Sequence, residues 1–324
     1  MHRLARMSRV LVLVVLGVGL AIPRVGVSDE PPRADWLKGC RRLVFLGDSI
    51  TAAGPYVAYV DAWLTTRPGQ PAPFVIDAGL PSETVSGLSE EGHAGGQFPR
   101  PDLAERLQRI LEKTKPDVVI ACYGINCGIY EAFDEERFAR YQRGMQSLRK
   151  AVEDRSARFI AITPPFYDDL RAPKKFSYNQ VLDRYSEWLV GRRQEGWRVI
   201  DLHTPMTRAV AARREQDPQF TFQPDGVHPN EAGYWFVAQQ VIRGLGDEEA
   251  ASAATPAKML EKRGAPRELL PLVQQRVNLL RDAYVAAAGH TRPGVAAGLP
   301  VPEAEQQARV LSEKITQLLK TGTE

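Results

Sequence analysis

The sequence predicts an α/β protein: a three-layer α/β/α sandwich around a central, mostly parallel five-stranded sheet, followed by a C-terminal helical appendage. Three observations support this prediction: five apolar runs of strand length, longer amphipathic segments between them, and a change of pattern after residue 246. Apolar residues at successive positions are typical of strands buried on both faces. Because strands alternate with helices, the sheet is expected to be parallel and covered on both sides.

The strands and helices are predicted in a regular order along the chain. The predicted strands are RLVFLG (42–47), FVIDAG (74–79), DVVIACYG (117–124), ARFIAITP (157–164) and WRVIDLH (197–203). The predicted helices lie near residues 55–66, 101–115, 134–153, 176–194 and 230–244. Since ligands of parallel sheets bind beyond the carboxyl ends of the strands, functional residues are expected there.

After residue 246 the apolar residues change to helical spacing. They recur at steps of three and four, the pattern of a helix with one buried face, at Leu270, Val273, Val277, Leu280 and Tyr284 and again at Leu311, Ile315 and Leu318. The intervening GHTRPGVAAGLPVP (289–302) is predicted to be a loop. We therefore expect residues 247–324 to form a helical extension, packed either on the preceding domain (29–246) or on a partner protein.

The first 28 residues have the features of a signal peptide. Three arginines precede the apolar run VLVLVVLGVGLAI (10–22), and small residues follow it. The apolar run is shorter than the about 20 residues that span a membrane, although an uncleaved anchor is the alternative. We expect cleavage after Ser28, export to the periplasm or the extracellular space, and no stable membrane span in the mature protein.

Removal of residues 1–28 leaves a nearly neutral chain. The full chain has 42 basic and 39 acidic residues, and four of the arginines lie in the removed segment. The mature charge therefore gives no indication of nucleic-acid binding. Cys40, Cys122 and Cys127 lack metal-ligand spacing and are interpreted as small buried side chains. No metal or cofactor motif is visible.

Residues suited to acyl transfer follow the predicted strand ends. Ser49 comes after the first strand, but a serine hydroxyl is a poor nucleophile unless a base takes its proton. His228 could be that base, with Asp225 orienting the imidazole and stabilising its charged form. The backbone N–H groups of Ser49 and Gly79 and the side-chain amide of Asn126 could stabilise an oxyanion. Each residue alone also fits an ordinary turn, so the hypothesis depends on their combination.

Four sequence blocks resemble those of the SGNH, or GDSL-type, hydrolases. They are GDSIT (47–51), DAGLPSET (77–84), YGIN (123–126) and DGVHPN (225–230), in the order in which that family has them. The resemblance covers residues 41–245. It implies a flavodoxin-like SGNH hydrolase fold, with Ser49 as nucleophile, Gly79 and Asn126 as oxyanion donors, and Asp225 and His228 completing the catalytic set.

Three positions depart from the family pattern. Ile50 stands where leucine is commoner, Asp77 replaces the usual asparagine, and Cys127 follows Asn126 where aspartate is usual. None of these changes removes a member of the proposed catalytic set. The changes at Asp77 and Cys127 are expected to affect the orientation of Gly79 and Asn126, and so the rate.

Other arrangements of the same residue types remain open. A nucleophile elbow of the G-x-S-x-G type is excluded because Thr51 occupies the last position. Asp201 and His203 form an alternative pair at a predicted strand end. His93, in a glycine-rich loop, either lines the pocket or is a solvated loop residue.

The function predicted from these features is that of a secreted serine esterase. Export and the resemblance favour the removal of O-acetyl groups from a small-molecule or polysaccharide carbohydrate ester. Hydrolysis of a lysophospholipid or another lipid ester is the alternative, and a catalytically silent binding module is a third. The aromatic residues expected at the strand ends could stack on sugar rings or form an apolar pocket wall; they are Tyr123, Tyr130, Phe166 and Tyr167.

Overall fold

The computed structural model describes residues 36–69 and 71–321. Its strands are β1 (Arg42–Gly47), β2 (Phe74–Asp77), β3 (Val118–Cys122), β4 (Arg158–Ile162) and β5 (Arg198–Ile200). They form one sheet in the order β2-β1-β3-β4-β5, and every neighbouring pair is parallel. The predicted five-stranded parallel sheet is confirmed. The predicted signal peptide, residues 1–28, lies outside the described residues.

Helices connect the strands and continue beyond the sheet. They are α1 (Ser49–Ala52), α2 (Pro55–Thr65), α3 (Leu103–Thr114), α4 (Glu135–Glu153), α5 (Asn179–Gly191), α6 (His203–Arg214), α7 (Glu231–Gly244), α8 (Glu248–Ala251), α9 (Pro256–Lys262), α10 (Leu269–Ala288) and α11 (Val301–Thr321). Short 3₁₀ turns cover His93–Gly96 and Arg192–Glu195. Helices α1, α6, α8 and α9 were not predicted. The predicted strand 197–203 ends at Ile200, so His203 begins a helix rather than closing a strand.

Side-chain caps define where several of the helices begin. Asp102 accepts a hydrogen bond from the Ala104 N–H at the start of α3, and Asp134 accepts one from Arg137 at the start of α4. Asn230 accepts one from the Gly233 N–H and so begins α7. Each cap satisfies a backbone donor that the first helical turn leaves unpaired.

The C-terminal helices pack on the sheet domain. Helix α10 contacts α2, α3 and β2, and α11 packs along α10. Because β2 is an edge strand, α10 covers that edge of the sheet. Buried polar contacts fasten the packing: Arg276 pairs with Asp61 of α2, and Tyr284 accepts a hydrogen bond from Arg42. The helical extension is therefore present and continuous with the core of the molecule.

The strand order places the functional region at the junction of β1 and β3. The chain runs from β1 outward to β2 and then crosses back to β3, on the other side of β1. Such a reversal opens a crevice at the carboxyl ends of the strands. Gly47 lies beside Cys122 in the parallel register, so the residues that follow β1 and β3 emerge next to each other.

Within the described part of the chain, no helix is long and apolar enough to cross a membrane. Over the same residues, no group of three or more His, Cys, Asp or Glu side chains is placed to hold a metal ion. The three cysteines are free thiols: Cys122 and Cys127 are buried, as predicted, and Cys40 is half-buried.

Candidate active site

Ser49, His228 and Asp225 form a continuous hydrogen-bonded chain. Ser49 Oγ lies 2.8 Å from His228 Nε2, and His228 Nδ1 lies 2.7 Å from Asp225 Oδ2. A carboxylate can only accept, so in the neutral ring Nδ1 carries the hydrogen and Nε2 accepts from the serine hydroxyl. Partial burial acts to raise the pKa of Asp225, but hydrogen bonds from His228 outweigh it and hold that pKa below its ordinary value. The Asp225 carboxyl is therefore ionised at neutral pH.

The loop that carries Asp225 and His228 is held by its own backbone bonds. Asp225 Oδ1 accepts from the N–H groups of Val227 and His228, at 2.9 and 2.7 Å. Gly226 adopts a left-handed φ of 89°, and its carbonyl accepts from the Asp168 N–H at 2.9 Å. These bonds close a tight turn that presents the imidazole toward Ser49. The His228 and Asp225 side chains are 47% and 57% exposed, so the site is open to solvent.

Ser49 lies at the sharp turn between β1 and α1. Asp48 caps α1 by accepting from the Ile50 N–H at 3.0 Å, and burial raises the pKa of Asp48 to about 6. A Cβ at Gly47 would lie 2.0 Å from Thr51 Oγ1, so the turn requires glycine there. Because Ser49 opens the helix, its N–H belongs to the first turn, whose donors have no partner within the helix. That N–H is therefore suited to bind an anion.

Gly79 lies at the carboxyl end of β2, but its environment differs from the prediction. Its N–H donates to Asp77 Oδ1 at 2.8 Å, so an oxyanion would have to share this donor. A Cβ at Gly79 would lie 2.4 Å from the Ala52 backbone nitrogen. The absence of a side chain at Gly79 therefore permits close packing against α1.

Asn126 follows β3 and is buried, at 3% exposure. Its Nδ2 donates to the Glu83 carbonyl at 3.3 Å, and its Oδ1 accepts from the Tyr130 hydroxyl at 2.9 Å. An amide nitrogen has two hydrogens, so one remains for a ligand oxygen. The described geometry thus leaves Asn126 able to act as an oxyanion donor.

A buried ion pair connects the loops that carry Gly79 and Asn126. Arg106 donates from Nε and Nη2 to the Glu83 carboxylate at 2.6 and 2.8 Å, and its Nη2 also donates to the Ala78 carbonyl. Tyr123 donates its hydroxyl to the same carboxylate. Both charged side chains are fully buried. This network was not predicted from the sequence, because nothing in an amphipathic helix marks Arg106 as buried.

Cys127 occupies the position at which the family usually has aspartate, and it contacts the segment that follows β2. Its Sγ accepts from the Val85 N–H at 3.4 Å, and its carbonyl accepts from the Ser86 hydroxyl at 3.2 Å. These contacts tie the Asn126 loop to the segment after β2. A thiol therefore supplies an acceptor at this position without a buried charge.

The structure does not form the alternative pair of Asp201 and His203. Asp201 Oδ1 accepts from Thr163 Oγ1 at 3.1 Å, whereas His203 Nε2 lies 2.8 Å from Asp183 Oδ1. The two side chains diverge because the chain turns into α6 at His203. His93 is half-buried, with Nδ1 3.2 Å from Glu90 Oε1 and its ring edge-on to Phe98.

Of the four aromatic residues expected at the strand ends, three are buried. Tyr123, Phe166 and Tyr167 are 1%, 8% and 2% exposed and belong to the core. Tyr130 is half-buried and lies beside Asn126. Burial leaves Tyr123, Phe166 and Tyr167 no free face on which a sugar ring could stack.

The hydrogen-bonded series of Ser49, His228 and Asp225 lies at the crevice of a parallel sheet with strand order 2-1-3-4-5. This combination of fold and site is that of the SGNH-type ester hydrolases. The model of the GDSL-like lipase/acylhydrolase family matches residues 45–236. That range covers more than half of the chain, and the protein belongs to this family. The resemblance drawn from the four sequence blocks is thereby confirmed.

Solved structures show similarity in fold. AlAXEase, an acetyl xylan esterase, superposes with a TM-score of 0.51 at 19% identity, over 62% of this chain and 98% of that one. Axe2, an acetylxylan esterase from Geobacillus stearothermophilus, gives a TM-score of 0.48 at 23% identity, over 64% of this chain and 94% of its own. BT4096, a gut microbial diltiazem-metabolizing enzyme, gives 0.48 at 22% identity, over 64% of this chain and 47% of that one. A comparison with curated proteins gave no match.

Proposed function

We propose that the protein is an exported serine esterase that removes O-acetyl groups from a carbohydrate. Ser49 Oγ attacks the ester carbonyl while His228 Nε2 takes the hydroxyl proton, and the Asp225 carboxylate stabilises the resulting imidazolium. The oxyanion is bound by the Ser49 N–H and by the Asn126 amide, with the Gly79 N–H as a shared donor. His228 then protonates the departing sugar oxygen, and a water molecule hydrolyses the acetyl-serine by the same route in reverse.

The observation that supports this mechanism most strongly is the pair of short contacts about His228. The distances of 2.8 Å to Ser49 Oγ and 2.7 Å to Asp225 Oδ2 are hydrogen-bond distances, as expected between a nucleophile, its base and the acid that orients the base. Asp225 and His228 share one loop, whereas Ser49 lies 179 residues from His228 along the chain, so the contact between them is a property of the fold.

The choice of substrate class has three supports. The N-terminal sequence predicts export, which brings the enzyme to extracellular or periplasmic carbohydrate. AlAXEase, which shares the fold, is an acetyl xylan esterase. The open site around Ser49 also suits an ester on a bulky, polar chain.

The mechanism predicts that Ser49→Ala and His228→Ala nearly abolish turnover. The measurement is acetate release from a panel of acetylated polysaccharides by the chain beginning at Asp29. Ser252→Ala is the matched control, because this exposed hydroxyl only bonds the Glu249 carbonyl and is expected to have no effect. Acetate release that survives Ser49→Ala would rule out the serine mechanism.

A chain-length series of p-nitrophenyl esters tests the substrate class. An acetyl esterase is expected to lose kcat/KM as the acyl chain lengthens beyond about four carbons, because additional methylenes need an apolar pocket. Preference for octanoate over acetate, with Ser49→Ala still inactive, would replace the carbohydrate assignment with a lipid esterase.

A further inference from the structure

The orientation of the Asn126 amide is determined by two partners. The Tyr130 hydroxyl donates to Oδ1 at 2.9 Å, and Nδ2 donates to the Glu83 carbonyl at 3.3 Å. A backbone carbonyl can only accept, so the nitrogen faces Glu83 and the oxygen faces Tyr130. The shorter of the two bonds is the one from Tyr130. The bond from Tyr130 therefore contributes strongly to the orientation of the amide plane. That orientation sets the direction of the remaining Nδ2 hydrogen, which lies in the same plane.

The Tyr130 ring is itself held on several sides. It stacks on Tyr178, with ring centroids 5.0 Å apart and an interplanar angle of 27°. The Arg100 guanidinium lies over the ring, 5.2 Å from its centroid, and is anchored by two 2.6 Å bonds to Glu90. The Lys174 ammonium lies 5.5 Å from the same centroid. A ring held by stacking and by cations has little freedom to withdraw its hydroxyl from Asn126.

The backbone at this position is unusual. Ile129 and Tyr130 both have left-handed φ values, of 47° and 57°, which residues other than glycine seldom adopt. The Ile129 N–H donates to the Asn126 carbonyl at 2.9 Å, and the Tyr130 N–H donates to the Tyr178 hydroxyl at 3.4 Å. Strained conformations persist where the surroundings over-determine them, and they cluster at functional sites. Here the strained turn aims the phenol back at the side chain four residues earlier.

From these contacts we infer that Tyr130 is a positioning residue for the reaction, acting through Asn126. Its hydroxyl fixes the plane of the Asn126 amide and polarises it, so that the free Nδ2 hydrogen is a stronger and better-aimed donor to the oxyanion. Tyr130 itself does not touch the reacting atoms. The inference rests on the proposed function, in which Asn126 binds the oxyanion.

The test is a double-mutant cycle with Tyr130→Phe and Asn126→Ala, assayed with p-nitrophenyl acetate. Tyr130→Phe retains the ring and is expected to lower kcat about 10- to 30-fold with KM changed by less than about twofold, because the lost interaction acts in the transition state. Asn126→Ala is expected to lower kcat about 10²- to 10³-fold. The double variant is expected to match Asn126→Ala, because Tyr130 has no route to the oxyanion without the amide.

Tyr141→Phe is the matched control. Tyr141 is a buried tyrosine whose hydroxyl donates to the Tyr123 carbonyl at 3.3 Å, so its removal costs a similar hydrogen bond away from the amide. Its kcat is expected to stay within about twofold of wild type. Should Tyr130→Phe lose native circular dichroism, Tyr130→Met tests the same loss of the hydroxyl with a flexible apolar side chain.

Two results would overturn the inference while leaving the proposed function intact. One is wild-type kcat in Tyr130→Phe when Ser49→Ala is inactive. The other is multiplication of the two single losses in the double variant, which would show that Tyr130 acts independently of Asn126. Failure of the proposed function would appear differently, as wild-type protein without serine-dependent esterase activity.

Discussion

Asp77 brings an ionisable group into the interior of the protein beside the candidate site. The carboxyl is fully buried; Oδ1 accepts from the Gly79 N–H, and Oδ2 has no partner within the described residues. Burial raises its pKa from 3.8 to about 7, against the opposing effects of the Gly79 hydrogen bond and the nearby Arg281 and Arg106. The family's usual asparagine carries no such penalty, so the Asp77 carboxylate makes the folded state sensitive to pH.

The sign of this effect follows from the raised pKa. Between pH 3.8 and about 7 the folded state binds the Asp77 proton more tightly than the unfolded state does, so stability falls as the pH rises through that window. Below the window both states are protonated and the penalty is absent. Above it the penalty is complete, on the order of 4 kcal/mol.

We therefore predict that Asp77→Asn gains stability relative to wild type as the pH rises. Between pH 5 and pH 8 the difference in unfolding free energy should shift by about 2 to 3 kcal/mol in favour of the variant. Urea denaturation of both proteins at the two pH values measures this shift. The exposed Asp217→Asn controls for the loss of one negative charge. A difference that stays constant with pH would contradict the prediction.

At the scale of elements, the loop between α6 and α7 determines whether the site assembles. Asn230 anchors the end of this loop, since its N–H donates to the Phe222 carbonyl at 2.7 Å and its Nδ2 to the Thr221 carbonyl at 3.1 Å. On its other side, the loop packs against residues 168–172. A Cβ at Gly226 would lie 2.5 Å from the Ala172 Cβ. The loop therefore has little room to move without displacing His228.

Gly226→Ala tests whether the position of this loop affects kcat beyond the effect of a loss of stability. Alanine at a φ of 89° costs about 1–2 kcal/mol, and the contact with Ala172 forces the loop outward. A displacement of His228 by even about 1 Å is expected to lower kcat by about 10- to 100-fold. Steady-state kinetics and thermal unfolding of the same preparation measure both effects.

Gly196→Ala is the control for this loop variant. Gly196 also has a left-handed φ, of 76°, but a Cβ there would meet no atom within 4 Å. It should lose a similar amount of stability and keep its kcat. Equal kcat values for the two variants would show that the position of the loop is not critical.

At the scale of the whole molecule, the C-terminal helix α10 packs against the sheet and its helices α2 and α3. Arg276 of α10 donates to both oxygens of Asp61, which is completely buried in α2. Arg281 donates to the Ala52 carbonyl at 2.7 Å, at the end of the short helix that begins with Ser49. Helix α10 thus contacts the end of the helical turn that carries Ser49. A domain boundary at residue 247 stays a prediction, as does contact with a partner protein through these helices.

Loss of the Arg276 side chain should destabilise the whole protein. Burial raises the pKa of Asp61, an effect that Arg276 opposes, so Arg276→Ala leaves a buried carboxylate without its cation. The expected loss is about 3–5 kcal/mol of unfolding free energy. Lys150→Ala, which breaks an exposed pair with Asp154, is the control and should change stability little. A small effect of Arg276→Ala in urea denaturation would mean that α10 packs independently of the sheet domain.

Local signals in the sequence were sufficient for the strands, for most of the long helices and for the identity of Ser49, Asp225, His228 and Asn126 as candidates. Helix α6 was missed because residues 201–203 were assigned to the predicted fifth strand, whereas β5 ends at Ile200 and α6 begins at His203. The features that were predicted correctly depend on neighbouring residues, so the pattern along the chain indicates them directly.

The sequence by itself determined the fold class, the order of the blocks and the family, because buried strands and turn residues carry periodic, local patterns. Only the tertiary structure decided which residues meet: His228 with Ser49 rather than Asp201 with His203, Tyr130 with the Asn126 amide, Asp77 with the Gly79 N–H, and α10 with the β2 edge. Each of these contacts depends on the direction of a side chain or on a loop closing over the sheet. Side-chain directions and loop closure follow from how the whole chain packs, which spacing along the sequence does not encode.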